Sequence, residues 1–391
     1  MLIFSLTAAA QCPEGVTWPG EDWTVATPTD EQAVILQTLA DYTFSDAPPP
    51  NQDGADTMRT NSVVIIHRGE ILFEQYGPGF TADNRHAGWS VTKSAISMMV
   101  GIAEKAGEIS LTDSICDHIE VARPENCAIT VEHTLTFTTG LRWAETYADK
   151  PPTASSVANM LFGEGRQDAA AFVADHPLIA TPGTLYDYSS GDSVLLAAVL
   201  AGAVGDRWGE DFLWDQLFEP IGMTSAQVSR DMAGTLLGSS GLYSSARDYA
   251  RFGYLALRGG CWEGEPMVAD DWMARSTTIS AAFLENHDNW SGYSRPGLSW
   301  WLNAVEPTGE VPWEGVPDTA YAALGYNGQA VYVLPSHDLV VVRTAFDSGD
   351  PLDRGHFLTL AMAAADAAEP LPEPEAVPEP ETEPDETEES P

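Results

Sequence analysis

The chain has 391 residues, a formal net charge of −40, and only three lysines (93, 105 and 150) among its 18 basic residues. Such a charge repels nucleic acid and anionic membrane surfaces, so neither is expected as a partner. With 44% hydrophobic and 9% aromatic residues, the chain can bury a substantial core as one large domain or two interleaved ones.

The start, "MLIFSLTAAAQC", is an apolar run ending in Ala8-Ala9-Ala10, a small-residue cleavage pattern. It reads as the back half of a secretory signal without its basic start, or as a frayed apolar terminus. Residues 1–28 are set apart as signal remnant and N-terminal arm, and the expected location is periplasmic or secreted. "NSVVIIHRGEILFEQYG" (61–77) is two apolar runs split by Arg68-Gly69, a hairpin signal. The text then turns helical over 90–106, parts of 130–175, 190–204, 209–218 and 245–260, with Gly259-Gly260 as a stop. "GQAVYVLPSHDLVVVRTAF" (328–346) is a second hairpin. From Glu369 the chain holds ten acidic residues, seven prolines and no basic residue, which predicts a disordered tail. Taking those ten charges from −40 leaves the body near −30.

Strands from both ends therefore predict one antiparallel sheet, with a helical lobe inserted between them, an α/β (α+β) class. The domain spans 29–368, the sheet lobe being about 29–85 and 285–368 and the helical lobe about 86–284. A site is expected in the crevice between the lobes. No run is long and charge-free enough to span a bilayer.

The four cysteines lack a CxxC or a Cys/His cluster, so neither a metal site nor a cofactor is expected. Cys116 and Cys127 flank a short polar stretch and suit a disulfide in an exported protein; two buried free thiols are the competing reading.

Chemistry centres on Ser90-Val91-Thr92-Lys93. Chance alone produces a Ser-x-x-Lys in a chain of this length readily enough, so position matters more than the match. Ser90 opens a helix, where unpaired N–H groups and the dipole favour developing negative charge. Lys93, one turn on, can take the serine proton if neutral, and burial pushes its pKa toward that state. "PGTLYDYSSGDSVLL" (182–196) brings Tyr188 and Ser190 to a second helix start. A tyrosine beside a lysine ammonium can have its pKa lowered and shuttle protons; an N-cap beside a packed ring is the bland reading. "LGYNGQAVYV" (324–333) sets glycines around Tyr326-Asn327 just before a strand, where a backbone N–H can face a substrate carbonyl, or the stretch is an ordinary turn.

In this order the three elements resemble the serine β-lactamase and penicillin-binding-protein superfamily, over roughly residues 60 to 347. "ITVEHTLTFTTGLRWAE" (129–145) resembles its following helix and turn. "GLYSSARDYARFGYLALRGGCWEGEPMV" (241–268) resembles a segment of its class C-like branch, within which the text is most similar to the 6-aminohexanoate-dimer hydrolase and family VIII carboxylesterase type. The resemblance implies Ser90 as nucleophile, Lys93 as proton acceptor and Tyr188 in the Tyr-x-Asn tyrosine position. It also implies Ser190, Tyr326, Asn327 and Gly328 as substrate-binding, with the N–H groups of Ser90 and Gln329 as oxyanion hole. Ser190 stands where the β-lactamases have Asn, and Tyr326 where they have Lys, so the usual cation for a substrate carboxylate is missing. A small-molecule ester or amide is the expected substrate.

Four further readings compete. "GDSV" (191–194) with His356 resembles another esterase family, but Ser193 lies mid-chain in a helical run. Gly88 precedes Ser90 by two but Thr92 follows it, leaving a Gly-x-Ser-x-Gly elbow incomplete. An inactive binding protein of the cell envelope is the third, and a true β-lactamase or peptidase the fourth. "NWSGYSRPGLSWWLNA" (289–304) supplies aromatics for the core or for an acyl pocket wall.

Overall fold

The computed structural model describes residues 12–45, 57–146, 154–286 and 294–367. The expected leader over 1–11 and the acidic tail lie outside the described residues. In chain order the strands are β1 (Thr60–His67), β2 (Glu70–Tyr76), β3 (His86–Ala87), β4 (Gln227–Val228), β5 (Leu242–Ser244), β6 (Cys261–Trp262), β7 (Glu265–Pro266), β8 (Arg295–Pro296), β9 (Trp301–Leu302), β10 (Tyr321–Gly325), β11 (Gln329–Leu334) and β12 (Leu339–Ala345). The helices are α1 (Asp30–Thr43), α2 (Val91–Lys105), α3 (Val131–Leu135), α4 (Ser156–Phe162), α5 (Ala169–Ala174), α6 (Ser190–Trp208), α7 (Ala246–Leu257), α8 (Trp272–Ser276), α9 (Ala281–Glu285) and α10 (Arg354–Asp366).

Strands from the two ends form one seven-stranded antiparallel sheet, in the order β2-β1-β12-β11-β10-β9-β8. The runs "VVII" in β1 and "LVVV" in β12 do not alternate with polar residues because both faces of the sheet are covered. Val64, Ile66, Val331, Val333, Val340 and Val342 point into the larger core, shared with α2, α6 and α7. Val63, Ile65, Tyr332 and Val341 point the other way, against Leu36 and Leu39 of α1 and Phe357 and Leu358 of α10. Arg68 and Gly69 both take positive φ, 53° and 85°, as the tight turn between β1 and β2 requires.

The arm is tied to the body over residues 12–28: Trp23 is buried, the Ile71 amide donates to the Thr24 carbonyl at 2.8 Å, and Cys12 is bonded to Cys261. Two features differ from the sequence reading. Helix α7, assigned to the helical lobe, lies against β1, β11 and β12 instead. Gly253 permits that approach, since a Cβ there would sit 2.6 Å from Val331 and Val340 methyls. The helix expected over 209–218 is shorter and is π-helical over Trp214–Phe218, with Gly209, at φ 75°, ending α6 ahead of it. The expected Cys116–Cys127 bond is formed. Among the described residues no helix is long and apolar enough to cross a membrane.

Candidate active site

Ser90 precedes α2 as its N-cap residue, and its side chain makes no capping bond, which leaves the hydroxyl for other partners. The residue before it, Trp89, is held at φ 48°, a conformation costly for a bulky side chain. Two glycines make the tight approach possible. A Cβ at Gly88 would meet the Tyr249 hydroxyl at 2.5 Å, and one at Gly325 would meet the Gly88 carbonyl oxygen at 2.1 Å. Through that contact the end of β10 is set beside the serine turn.

Lys93, one helical turn on, is 2% exposed. Its Nζ lies 3.0 Å from Ser90 Oγ, 3.1 Å from Ser190 Oγ and 2.9 Å from the Ser239 carbonyl oxygen. Burial lowers its pKa to about 8, against the opposing pull of Glu145 and Asp192, which favour the ammonium. A lysine so placed is substantially neutral in mildly alkaline solution and can accept a proton.

Tyr188 enters from the segment before α6 and lines the same crevice as Ser90 and Lys93. The Asp187 amide donates to the Phe137 carbonyl at 2.9 Å, and the Phe137 and Tyr188 rings lie 4.8 Å apart. Trp301 flanks the other side of Tyr188 at 5.4 Å, and Lys93 Nζ lies 5.0 Å from the ring centroid. Here the expected lowering of the tyrosine pKa is reversed. Burial, reinforced by the charge of Glu145, pushes the phenol above its usual range, with Ser90 opposing. Tyr188 is therefore a proton donor at rest.

Ser190 is tied to the protein on both its polar groups. Its hydroxyl donates to Glu145 Oε1 at 2.6 Å and its amide to Oε2 at 2.9 Å. Asp192, 2% exposed, has Thr139 Oγ1 at 3.0 and 3.1 Å from its two oxygens, and burial pushes its carboxyl up to about 8.

Tyr326, Asn327 and Gly328 form the tight turn between β10 and β11, with Asn327 at φ 59° and Gly328 at φ 84°. Tyr326 is half exposed and meets Trp89 edge-on at 5.8 Å, so the third element lies next to the first. Gln329 begins β11, and its side chain is clamped to the backbone of Ala345 in β12. Behind the turn, the wholly buried Arg343 donates to Asp347 at 2.7 and 3.0 Å and to the Gly328 carbonyl at 3.2 Å.

The crevice at Ser90 is narrow, lined by Lys93, Phe137, Tyr188, Pro296, Trp300 and Trp301. Trp300 and Trp301 come from the aromatic-rich stretch 289–304. Of the non-glycine residues with positive φ, Phe137 and Ser299 line this crevice and Trp89 immediately precedes Ser90, a clustering of backbone strain expected where geometry is over-determined. His356 lies on α10, on the far side of the sheet, edge-on to Tyr42, and does not approach Ser193 in α6. Sequence reasoning missed Glu145, Phe137 and the Ser239 carbonyl. Glu145 ends the stretch "GLRWAE", but nothing local marks it as a partner of Ser190.

The profile of the family described as Beta-lactamase matches residues 52–364. The chain belongs to the Beta-lactamase family. Its sheet with helices inserted between N- and C-terminal strands is that family's fold. The 6-aminohexanoate-dimer hydrolase of Paenarthrobacter ureafaciens is 25% identical over 299 residues, covering 73% of this chain and 72% of that one. Among solved structures, a family VIII carboxylesterase has a TM-score of 0.62 at 15% identity, covering 87% of this chain and 99% of its own. A penicillin-binding-protein homologue from Caulobacter crescentus has the same score, identity and coverages. At those identities the two structures speak to the fold alone.

Proposed function

We propose that this Beta-lactamase family member is a serine hydrolase that cleaves carboxylic esters or small amides through an acyl-enzyme on Ser90. The observation that carries the reading is the buried Lys93 with Nζ 3.0 Å from Ser90 Oγ and a pKa lowered to about 8. In the first half-reaction Ser90 Oγ attacks the acyl carbonyl carbon and its proton passes to Lys93. The carbonyl oxygen takes up the charge against the N–H groups of Ser90 and Gln329. Tyr188, held protonated by burial, gives a proton to the departing alcohol or amine; in the second half-reaction it takes one from the attacking water, and Lys93 returns its proton to Ser90 Oγ as the acid leaves.

The site also bears on substrate choice. No lysine or arginine occupies the turn Tyr326–Gly328, and the groups that act electrostatically on Lys93 are the carboxyls of Glu145 and Asp192. The walls are aromatic and the crevice narrow. A neutral, short acyl group suits these surroundings, and the carboxylate of a β-lactam does not. Short p-nitrophenyl esters, a linear amide dimer and a chromogenic cephalosporin, assayed beside Ser90→Ala, test this. Ester cleavage with slower amide cleavage is expected; efficient cephalosporin turnover without esterase activity would return the protein to the β-lactamases proper. Two disulfide bonds support export to an oxidising compartment, periplasmic or extracellular.

A further inference from the structure

Lys93 Nζ has three close partners, and they differ in what they can offer. The Ser239 carbonyl oxygen, at 2.9 Å, can only accept. The Ser190 hydroxyl, at 3.1 Å, could in principle donate or accept, but its single proton already goes to Glu145 Oε1 at 2.6 Å. A carboxylate has no proton to give back, so toward Lys93 the Ser190 oxygen is an acceptor. A neutral amine carries two N–H bonds and one lone pair. With both N–H bonds committed to Ser239 and Ser190, the lone pair is left facing Ser90 Oγ.

We propose that Glu145, acting through Ser190, is a positioning residue that fixes the direction in which Lys93 accepts the Ser90 proton. The inference rests on the Ser90–Lys93 reading above. Glu145 touches no reacting atom. Its own orientation is set by the Ser190 amide at 2.9 Å and by Trp143 Nε1 at 2.6 Å. The Trp143 indole in turn lies on Gly191, where a Cβ would meet the ring at 2.7 Å. The carboxylate is thus fastened to the start of α6 on one side of Ser190, with Lys93 on the other. Were Glu145 able to donate, Ser190 would turn its hydroxyl proton to the lysine lone pair and compete with Ser90. In the acylation step the proton leaves Ser90 Oγ for the Lys93 nitrogen. The oxygen pair forms the bond to the acyl carbon, and the carbonyl π pair moves onto oxygen. The ammonium so formed has three N–H bonds for three acceptors, with no reorganisation.

Glu145→Gln is nearly isosteric and separates direction from charge. The two N–H groups at Oε2 hold the amide oxygen there, which places the amide NH₂ against Ser190 Oγ and reverses that bond. Glu145 and Asp192 are the titratable carboxyls that act on Lys93, with the Tyr188 ring beside it. Loss of the Glu145 charge alone would move the acid limb of the pH–rate profile to lower pH and leave the plateau kcat intact. Reversal of direction lowers the plateau kcat on p-nitrophenyl acetate by roughly 10²-fold, a general-base-sized loss, with KM little changed. It also makes Glu145→Gln add nothing in a Ser190→Ala background, because the hydroxyl it acts through is gone. A wild-type plateau in Glu145→Gln, or a full additional loss on top of Ser190→Ala, overturns the proposal, the latter by showing a strut and no relay. If Glu145→Gln fails to fold, Ser190→Ala alone reads the same chain: a loss of about tenfold or more in kcat supports it and an unchanged kcat overturns it. Wild-type protein that neither hydrolyses esters nor reacts with a fluorophosphonate overturns the parent reading and this one together, a result distinct from either variant's failure.

Discussion

The pair Arg343–Asp347 offers the sharpest stability test, because both side chains are buried to within 2% and both touch the turn that carries Tyr326, Asn327 and Gly328. Asp347→Ala removes the acceptor of two Arg343 N–H bonds, at 2.7 and 3.0 Å, and of the Arg59 amide at 2.7 Å. Thr60 Oγ1 and the Gly328 carbonyl remain as acceptors for the guanidinium but bring no countercharge. Breaking one side of a buried pair costs about 3–5 kcal/mol. At roughly 2.1 cal/mol/K of unfolding entropy per residue over the roughly 330 described residues, that is a fall in Tm of about 4–7 °C. The turn should loosen as well, since the Asp347 amide donates to the Asn327 carbonyl and a Cβ at Gly328 would already touch both ionic side chains. Thermal unfolding followed by circular dichroism, with kcat/KM on a short ester, measures both effects. The double variant Arg343→Met with Asp347→Ala should recover part of the lost stability, because it removes the stranded charge. A single variant within 1 °C of wild type, or a double variant less stable than the single, would refute the assignment of the pair as an electrostatic anchor.

Gly325→Ala should lower kcat by more than tenfold with modest change in Tm, because its Cβ would displace the Gly88 carbonyl and with it the serine turn; kinetics beside a melt separates the two. The pH dependence of kcat/KM should rise with pH through a limb near 8, the pKa of Lys93, since the neutral amine is the active form and lies above that pH; a flat profile from pH 6 to 9 contradicts a lysine base. Lys93→Ala and Tyr188→Phe should each cost on the order of 10²-fold in turnover, read by initial rates, while Ser90→Ala abolishes fluorophosphonate labelling in a folded protein. Non-reducing peptide mapping should recover Cys12 with Cys261 and Cys116 with Cys127, and loss of the first, which spans 249 residues, should destabilise by roughly 5 kcal/mol on the chain-entropy account.

What the sequence determined by itself is local. Ser90 and Lys93 meet because residues three apart on a helix share a face, and Arg68-Gly69 turns the chain because two positive φ values are needed there. The apolar runs of β1 and β12 announce strands buried on both faces, and the separation of Cys116 from Cys127 by eleven positions lets a short loop close. The order of the three motif elements reached further, to the family, because that order reflects how the sheet is assembled from both ends.

Everything that depends on chain segments meeting from afar waited for the tertiary structure. Helices α1 and α10 went unread, since what they bury is the outer face of a sheet whose strands lie elsewhere in the chain. Arg343 and Asp347 are four apart, a spacing that meets on a helix but not on an extended strand; they pair because the chain bends after Ala345. Glu145 reaches Ser190 across 45 positions, and the Ser239 carbonyl reaches Lys93 across 146. The protonation states followed from the same contacts. Burial, not proximity to an ammonium, decides Tyr188, and how much water a side chain loses is set by the segments that close over it.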